Sequence, residues 1–236
     1  MREKLIYILI FGVFLNSCDF TSADEYYNQA FEYEEKGDLK KAIELLDKAI
    51  EKKSDFRPAL LNRGYYKTEL GNLDGGIMDY KNILKFDSDN TLALYNIGIN
   101  YQELEKPKKA IEYFTKALNT SGALTSFSSS NGGTLSLSKA LDFNTLDNDN
   151  NFEVHKCEIQ FSRGINYLFL KEYDNALEDV ENCIKANYSK KESYFLKGDL
   201  YFLIGDTTKA CENYEKSSKL GYLEARNKYK IFCLDK

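Results

Sequence analysis

Apolar residues recur along this chain at the spacing of a helix. The segment 37–51 reads GDLKKAIELLDKAIE, and its lysine and glutamate residues surround a stripe of apolar side chains at Leu39, Ala42, Ile43, Leu46, Ala49 and Ile50. Steps of three and four residues place such a stripe on one face of an α-helix. Because one short amphipathic helix is only marginally stable in water, the pattern predicts packing against neighbouring helices.

Segments of the same design recur, and small residues measure the interval between them. One series of small residues is Ala30, Gly64, Gly98, Gly164 and Gly198. A second series is Ala42, Gly76, Ala110, Ala176 and Ala210. Both series advance by 34, 34, 66 and 34 residues, so the long step equals one period plus 32 residues. The sequence therefore predicts a repeated helical unit with a single insertion.

Bulky residues stand at fixed distances from the small ones. Tyrosine follows the first series by three residues at Tyr33, Tyr101, Tyr167 and Tyr201. Larger side chains follow the second series by four residues at Leu46, Tyr80, Phe114, Val180 and Tyr214. Together with the period, these positions resemble the tetratricopeptide repeat. The resemblance implies an all-α, superhelical solenoid of about five helix-turn-helix repeats, in which a small residue lets two antiparallel helices approach closely.

The period sets the predicted boundaries. Repeats are expected at 23–56, 57–90, 91–121, 157–190 and 191–221, so that 23–121 holds the first three and 157–221 the last two. Residues 222–236 place Ala225, Tyr229 and Phe232 on one face and are predicted to form a C-terminal capping helix. Glycine marks the turns at Gly37, Gly71 and Gly205, whereas the third repeat has Lys106-Pro107 in that region. Lys67 stands where the other repeats have tyrosine.

Residues 122–156 lack the helical period and form the insertion. Their serine, asparagine and glycine content is compatible with a loop, or with a β-hairpin of 124–128 and 134–138 turning at Asn131-Gly132. Five oxygen-bearing residues resemble an EF-hand calcium loop, namely Asp147, Asp149, Asn151, Glu153 and Glu158. Phe152 occupies the position where that loop requires glycine, so the segment is predicted to be an acidic linker and not a calcium site.

The first residues differ in design from the repeats. Arg2 and Lys4 precede an apolar run of 11 residues from Leu5 to Leu15, which is too short for a helix to cross roughly 30 Å of hydrocarbon. Residues 1–17 are predicted to be a signal peptide. The ending LNSC resembles a bacterial lipobox, which implies that Cys18 is the lipid-attachment residue and that 18–22 is a linker. An uncleaved anchor or an ordinary secretory signal is the alternative.

Lipid attachment would place the protein in a bacterial cell envelope, anchored to a membrane without crossing it. Asp19 after the cysteine does not assign the inner or the outer membrane, because that rule differs between phyla.

The tetratricopeptide resemblance also implies a binding surface. In that family the first helices of the repeats line a concave groove that holds an extended peptide or a partner helix. The matching residues are Tyr27, Phe31, Leu61, Tyr65, Tyr95, Ile99, Phe161, Ile165, Phe195 and Phe202. The predicted partner is therefore a protein or peptide. Two positions of the family's carboxylate clamp are aromatic here, so capture of a C-terminal carboxylate is not expected. Helix packing is the alternative role for about half of these side chains.

Composition narrows the classes of function. A net charge of −5 with interleaved lysine and glutamate leaves no basic field, so nucleic acid is not an expected partner. His155 is the only histidine, which excludes a multi-histidine metal site. With no glycine-rich phosphate loop either, the sequence predicts no enzyme, no cofactor and no metal. Cys157, Cys183, Cys211 and Cys233 allow three disulfide pairings, or serve as small packing residues.

The predicted function is a non-enzymatic scaffold or adaptor for protein interactions. A glycan-capturing envelope lipoprotein is the alternative, because exposed aromatic rings stack on sugars, although the chain has no tryptophan. A hydrolase built on His155 is a weaker third possibility.

Overall fold

The computed structural model describes residues 20–124 and 153–234, which are almost entirely helical. The α-helices in these ranges are α1 (Ala23–Glu34), α2 (Leu39–Lys52), α3 (Arg57–Glu69), α4 (Leu73–Ile83), α5 (Thr91–Glu103), α6 (Pro107–Leu118), α7 (Lys156–Phe169), α8 (Tyr173–Lys185), α9 (Lys190–Ile204), α10 (Thr207–Lys219) and α11 (Leu223–Tyr229). The strands are β1 (Ala123–Leu124) and β2 (Val154–His155). The predicted all-α repeat fold is confirmed. The signal peptide and Cys18 lie outside the described residues.

The chain divides into two compact units, and the first ends at Ala59. Its helix α1 begins with a capping box, in which Ser22 Oγ accepts from the backbone N–H of Glu25 and the Glu25 carboxylate accepts from that of Ser22. Asp38 caps α2 by accepting from the backbone N–H of Lys41. Helix α2 packs against α1 and buries Ala42, Leu45, Leu46 and Ala49. The face that the sequence predicted to be buried is thus largely the one that packs.

The second unit runs from Leu60 and stacks its helices in chain order. From α4 to α11 each helix packs against the one before and the one after it. Asn72, Asn90 and Asp206 cap α4, α5 and α10 with side-chain oxygens that accept backbone N–H groups. Between α8 and α9 lies a cluster of buried apolar residues, Ala176, Val180, Leu196 and Leu200, which we call the α8/α9 core.

Glycines allow three of the helix pairs in this unit to cross closely. A Cβ atom on Gly98 would lie 2.6 Å from the ring of Phe114, and one on Gly198 would lie 2.6 Å from that of Tyr214. Gly64 approaches the Tyr80 ring in the same way, at 2.8 Å. These positions were predicted from the period.

Gly164 is different from the other three glycines. The atom nearest to a Cβ placed on Gly164 would be 3.5 Å away, which is an ordinary van der Waals contact. Val180 stands on α8 where the other repeats carry Tyr80, Phe114 and Tyr214, so the space is larger. The close approach therefore does not require glycine in the fourth repeat.

A left-handed residue ends the first helix of every repeat. Gly37, Gly71 and Gly205 adopt φ angles of 76°, 80° and 92°. In the third and fourth repeats the same position holds Glu105 and Lys171, at φ 54° and 62°. Side chains with a Cβ are strained in this conformation. The turn before Pro107 has no glycine in the sequence, yet its backbone adopts the same left-handed conformation as the glycine turns.

Replacing Glu105 with glycine should stabilise the second unit. Relief of the left-handed strain exceeds the extra backbone entropy of glycine, so the free energy of unfolding should rise by about 0.5–1 kcal/mol. Urea denaturation followed by circular dichroism measures the change. The matched control is Gly205→Ala, which should lower the same quantity by about 1 kcal/mol. Equal midpoints for Glu105→Gly and the wild type would contradict the assignment.

A short parallel strand pair joins the two ends of the insertion. Ala123 is opposite Val154 and Leu124 is opposite His155. Because these strands hold the ends together, α6 packs directly on α7 across the insertion. The helix stack is therefore continuous from the third to the fourth repeat. Most of the hairpin predicted at 124–128 and 134–138 falls outside the described residues.

The C-terminal segment caps the last repeat, as predicted. Ala225 of α11 is fully buried against α10, and a π-helical turn (Lys230–Leu234) follows. A disulfide joins Cys211 to Cys233, so this turn is covalently held to α10. The other two cysteines that the sequence offered for pairing, Cys157 and Cys183, are buried free thiols. Cys183 Sγ donates to the backbone oxygen of Cys157 at 3.1 Å.

Candidate functional site

The two predicted groove residues of the first unit are involved in packing. The ring of Tyr27 is buried, and its centroid lies 5.0 Å from those of both Phe31 and Phe56. Phe31 is half-buried. The Tyr27 side chain therefore serves helix packing, which is the alternative role that the sequence left open for about half of the groove residues.

In the second unit the predicted groove residues differ in exposure. Leu61 and Tyr95 are buried, at 2% and 8% relative exposure, whereas Tyr65 and Ile99 are half-buried. Helices α3 and α5 thus each present one buried and one accessible residue of the set. Accessible side chains are the ones that a partner can touch.

Packing against the rest of the unit involves most of the later groove residues. Phe161 and Ile165 lie against the α8/α9 core. The ring of Phe195 is half-buried and packs against α11 and the residue before that helix, since the Tyr222 ring centroid lies 5.0 Å from the Phe195 centroid and Lys228 Nζ lies 4.7 Å from it. Phe202 is exposed at 41%, and its ring contacts that of Phe232 in the C-terminal turn.

Hydrogen bonds between polar side chains connect successive first helices. Asn100 Nδ2 of α5 donates to Thr68 Oγ1 of α3 at 2.8 Å. Asn166 Nδ2 of α7 donates to Gln102 Oε1 of α5 at 2.7 Å. The repeat pattern did not predict these contacts, although Thr68 and Gln102 are 34 residues apart and the two asparagines are 66 apart, which are steps of the glycine series.

Buried ion pairs connect the two helices within two of the repeats. Arg163 Nε and Nη2 donate to both carboxylate oxygens of Asp179, at 2.9 and 2.8 Å. Arg63 forms the same bidentate pair with Asp79, and Asp79 Oδ2, which accepts from Arg63 Nε, also accepts from Lys67 Nζ at 2.8 Å. Both aspartate side chains are only 2% exposed. Lys67, which stands where the other repeats have tyrosine, thus donates a hydrogen bond to a buried carboxylate.

A further carboxylate lies where α5 and α7 meet the end of the fourth repeat. Tyr95 Oη donates to Glu158 Oε1 at 3.2 Å, and Tyr188 Oη donates to Glu158 Oε2 at 3.3 Å. Burial raises the pKa of Glu158, and the two tyrosine hydrogen bonds oppose that rise. In the sequence Glu158 stood out only as the last ligand of the EF-hand-like segment, whose residues 147–151 lie outside the described ranges.

His155 has a structural position at the start of α7. Its Nδ1 accepts from the backbone N–H of Cys157 at 3.1 Å, which caps the helix. Its ring stacks on that of Tyr188, with centroids 4.3 Å apart. These contacts give the imidazole a role in packing and capping.

Residues 20–124 and 153–234 contain neither a metal-binding cluster nor a helix that could span a membrane. No group of three or more histidine, cysteine, aspartate or glutamate side chains is arranged there to hold a metal ion. Over the same ranges no helix combines the length and apolar character needed to cross a bilayer.

Comparison with known families identifies the repeat. The tetratricopeptide repeat model matches residues 23–55, 92–122 and 191–220, which are the first, third and fifth predicted repeats. The second and fourth repeats fold into the same kind of helical pair. The chain therefore contains tetratricopeptide repeats, as the residue pattern predicted.

Curated relatives are longer proteins of low identity. The chain is 31% identical over 101 residues to the CTR9 homolog of Arabidopsis thaliana, covering 41% of this chain and 9% of that protein. It is 25% identical over 213 residues to the TPR repeat-containing protein MJ1428 of Methanocaldococcus jannaschii, covering 83% and 33%. For human DnaJ homolog subfamily C member 7 the identity is 25% over 218 residues, covering 80% and 43%. The chain thus spans less than half of each.

Solved structures support the fold. YrrB, described as a TPR protein with an unusual peptide-binding site, superposes with a TM-score of 0.64 at 19% identity, covering 89% of this chain and 92% of that one. A MamA crystal structure gives a TM-score of 0.61 at 19% identity, covering 84% and 95%. PilF of Pseudomonas aeruginosa gives 0.64 at 18% identity, covering 92% and 84%. At these identities the likeness concerns the fold alone.

Proposed function

We propose that this chain is a non-enzymatic scaffold or adaptor whose first helices bind a peptide or a partner helix of another protein. The observation that carries the proposal is the series of stacked first helices, joined to one another by the Thr68–Asn100 and Gln102–Asn166 hydrogen bonds. Such a surface is held rigidly before a partner arrives, and preorganisation reduces the entropy lost on binding.

Accessible apolar residues support the same surface. Tyr65 on α3 and Ile99 on α5 are half-buried, so each presents part of its side chain beside the polar bonds that join these helices. Grooves that hold peptides combine apolar contacts with a few oriented polar groups. YrrB, which has a similar fold, is described as having a peptide-binding site.

We further propose that Cys18 carries the lipid anchor and that the protein is held at a membrane of a bacterial cell envelope. The support is the sequence of residues 1–18, with its short apolar run and the LNSC ending. Lipid chains that together bury many methylene groups bind a membrane stably. The anchor would place the repeats next to the membrane surface, where they would recruit the partner.

Site-specific photo-crosslinking in the native cells tests the function. A photoreactive phenylalanine derivative at Ile99 should form discrete adducts with one or a few polypeptides, because Ile99 lies on the proposed surface. The matched control is the same residue at Met78 on α4, a second helix, where the native side chain is 62% exposed. Equal adducts at both positions, or none at Ile99, would count against the groove.

The anchor is tested in the same cells. Wild-type protein should be recovered with membranes and should carry the mass of diacylglycerol on Cys18, the first residue after cleavage. Cys18→Ala should lose both the membrane recovery and the added mass. Membrane recovery of Cys18→Ala without lipid would instead indicate an uncleaved apolar segment.

A further inference from the structure

Glu158 is a half-buried carboxylate that accepts hydrogen bonds from two neutral hydroxyl groups. It lies in the first turn of α7 and accepts from Tyr95 of α5 and from Tyr188, which follows α8. Within residues 20–124 and 153–234 no lysine or arginine forms an ion pair with it. By contrast, Asp79 and Asp179 form ion pairs with cationic side chains.

Aromatic rings and hydroxyl groups surround this carboxylate. His155 stacks on Tyr188 with nearly parallel rings, at an interplanar angle of 12°. Ser162 Oγ lies 3.5 Å from Tyr95 Oη. We call Tyr95, His155, Glu158, Ser162 and Tyr188 the Glu158 site. Its residues come from α5, α7, β2 and the segment between α8 and α9.

This arrangement favours a positive charge. Burial raises the pKa of both Tyr95 and Tyr188, so both hydroxyls keep their protons and continue to donate at neutral pH. The pKa of Glu158 is raised as well, which means that its charged form is under-stabilised. A cation placed beside it would gain Coulomb energy in partly desolvated surroundings and would also be attracted by the tyrosine faces.

We propose that the Glu158 site binds a lysine or arginine side chain of the polypeptide that occupies the groove. The inference rests on the proposed function. Glu158 is half-buried and lies one helical turn before Phe161, a member of the predicted groove set, so the site adjoins the surface on which a peptide would lie. The cations Arg63, Lys67 and Arg163 on the first helices are already engaged by aspartates. The net charge of −5 also favours a cationic partner.

Peptide selection tests the proposal. A positional-scanning library of acetylated, amidated nine-residue peptides, comparing lysine with its neutral near-isostere norleucine, should show one position where lysine binds about tenfold more tightly. Glu158→Gln should abolish this preference, whereas Glu103→Gln, at an exposed carboxylate ending α5, should keep it. Circular dichroism checks that both variants are folded.

A second measurement does not depend on peptide binding. In protein labelled with ¹³C at glutamate carboxyl groups, n-butylammonium chloride should lower the pH midpoint of Glu158 by about half a pH unit relative to sodium chloride of equal ionic strength. The carboxyl resonance of Glu158 is assigned by its loss in Glu158→Gln. The other titratable groups at the site are Tyr95, Tyr188 and His155.

The outcomes distinguish failure of this inference from failure of the proposed function on which it rests. Peptides that bind without a lysine preference, together with an unmoved midpoint, would overturn the inference and leave groove binding in place. A moved midpoint with no peptide bound would support the site and argue against the proposed function. A lysine preference that survives in Glu158→Gln would assign the cation to another residue and overturn the inference.

Discussion

Replacing Asp179 with asparagine should be among the most destabilising single changes in the second unit. Arg163 would lose its charged bidentate partner while remaining only 19% exposed in its side chain. An uncompensated, largely buried charge costs several kcal/mol, so we expect the free energy of unfolding to fall by about 3 kcal/mol. Urea denaturation followed by circular dichroism measures the fall.

Two further variants make this expectation specific. Asp174→Asn removes an exposed carboxylate from the same helix and should change stability by less than about 0.5 kcal/mol. The double variant Arg163→Met with Asp179→Leu removes both charges and should recover most of the loss, because an apolar pair is commonly no worse than a buried ion pair. If Asp179→Asn behaved like Asp174→Asn, the pair would have no structural role.

Adding one methyl group at Gly98 should also be strongly destabilising. The new Cβ would lie 2.6 Å from the fully buried ring of Phe114, so α5 and α6 would have to separate or the ring would have to leave its position. Overpacking of this kind outweighs the higher helix propensity of alanine. We expect Gly98→Ala to lower the free energy of unfolding by about 2 kcal/mol.

Gly164→Ala provides the matched control for Gly98→Ala. Its Cβ would meet nothing closer than 3.5 Å, so the gain in helix propensity should dominate. Stability should therefore rise, by up to about 1 kcal/mol. The two substitutions are chemically identical and occupy equivalent positions of the repeat, yet their effects should have opposite signs. Urea denaturation midpoints test this, and two changes of the same sign would refute the packing argument.

The contrast between these glycines shows how far the repeat pattern can be interpreted. The period identified all four as helix-crossing positions, and at Gly64, Gly98 and Gly198 the structure has the close crossing. At Gly164 the period alone was insufficient, because the space at a crossing depends on the facing side chain. That side chain is Val180, a smaller residue than its aromatic counterparts, so the sequence contained a signal that the period did not use.

The candidate site was predicted less completely than the fold. The groove positions follow from the repeat register, but the register does not say which side chains remain accessible. Phe195 is half-buried because it contacts Tyr222 and Lys228, which belong to the C-terminal segment and not to its own repeat. Accessibility is set by contacts between residues that are distant in the chain.

What the sequence by itself determined is therefore local and periodic. Helix faces and turn positions depend on neighbours within one or two helical turns, and such short-range preferences can be seen in a single sequence. The 34-residue period can be counted directly from the positions of the small residues.

Only the tertiary structure decided which carboxylates form ion pairs and which accept hydrogen bonds from neutral groups. Glu158 meets Tyr95 from 63 residues away and Tyr188 from 30 residues away, and no repeat period relates the three. Asp179 meets Arg163 instead, so two carboxylates within the same helical pair acquire different chemistry. The physical reason is that an electrostatic environment is the sum of all nearby groups, and proximity of these groups arises only when the helices have packed.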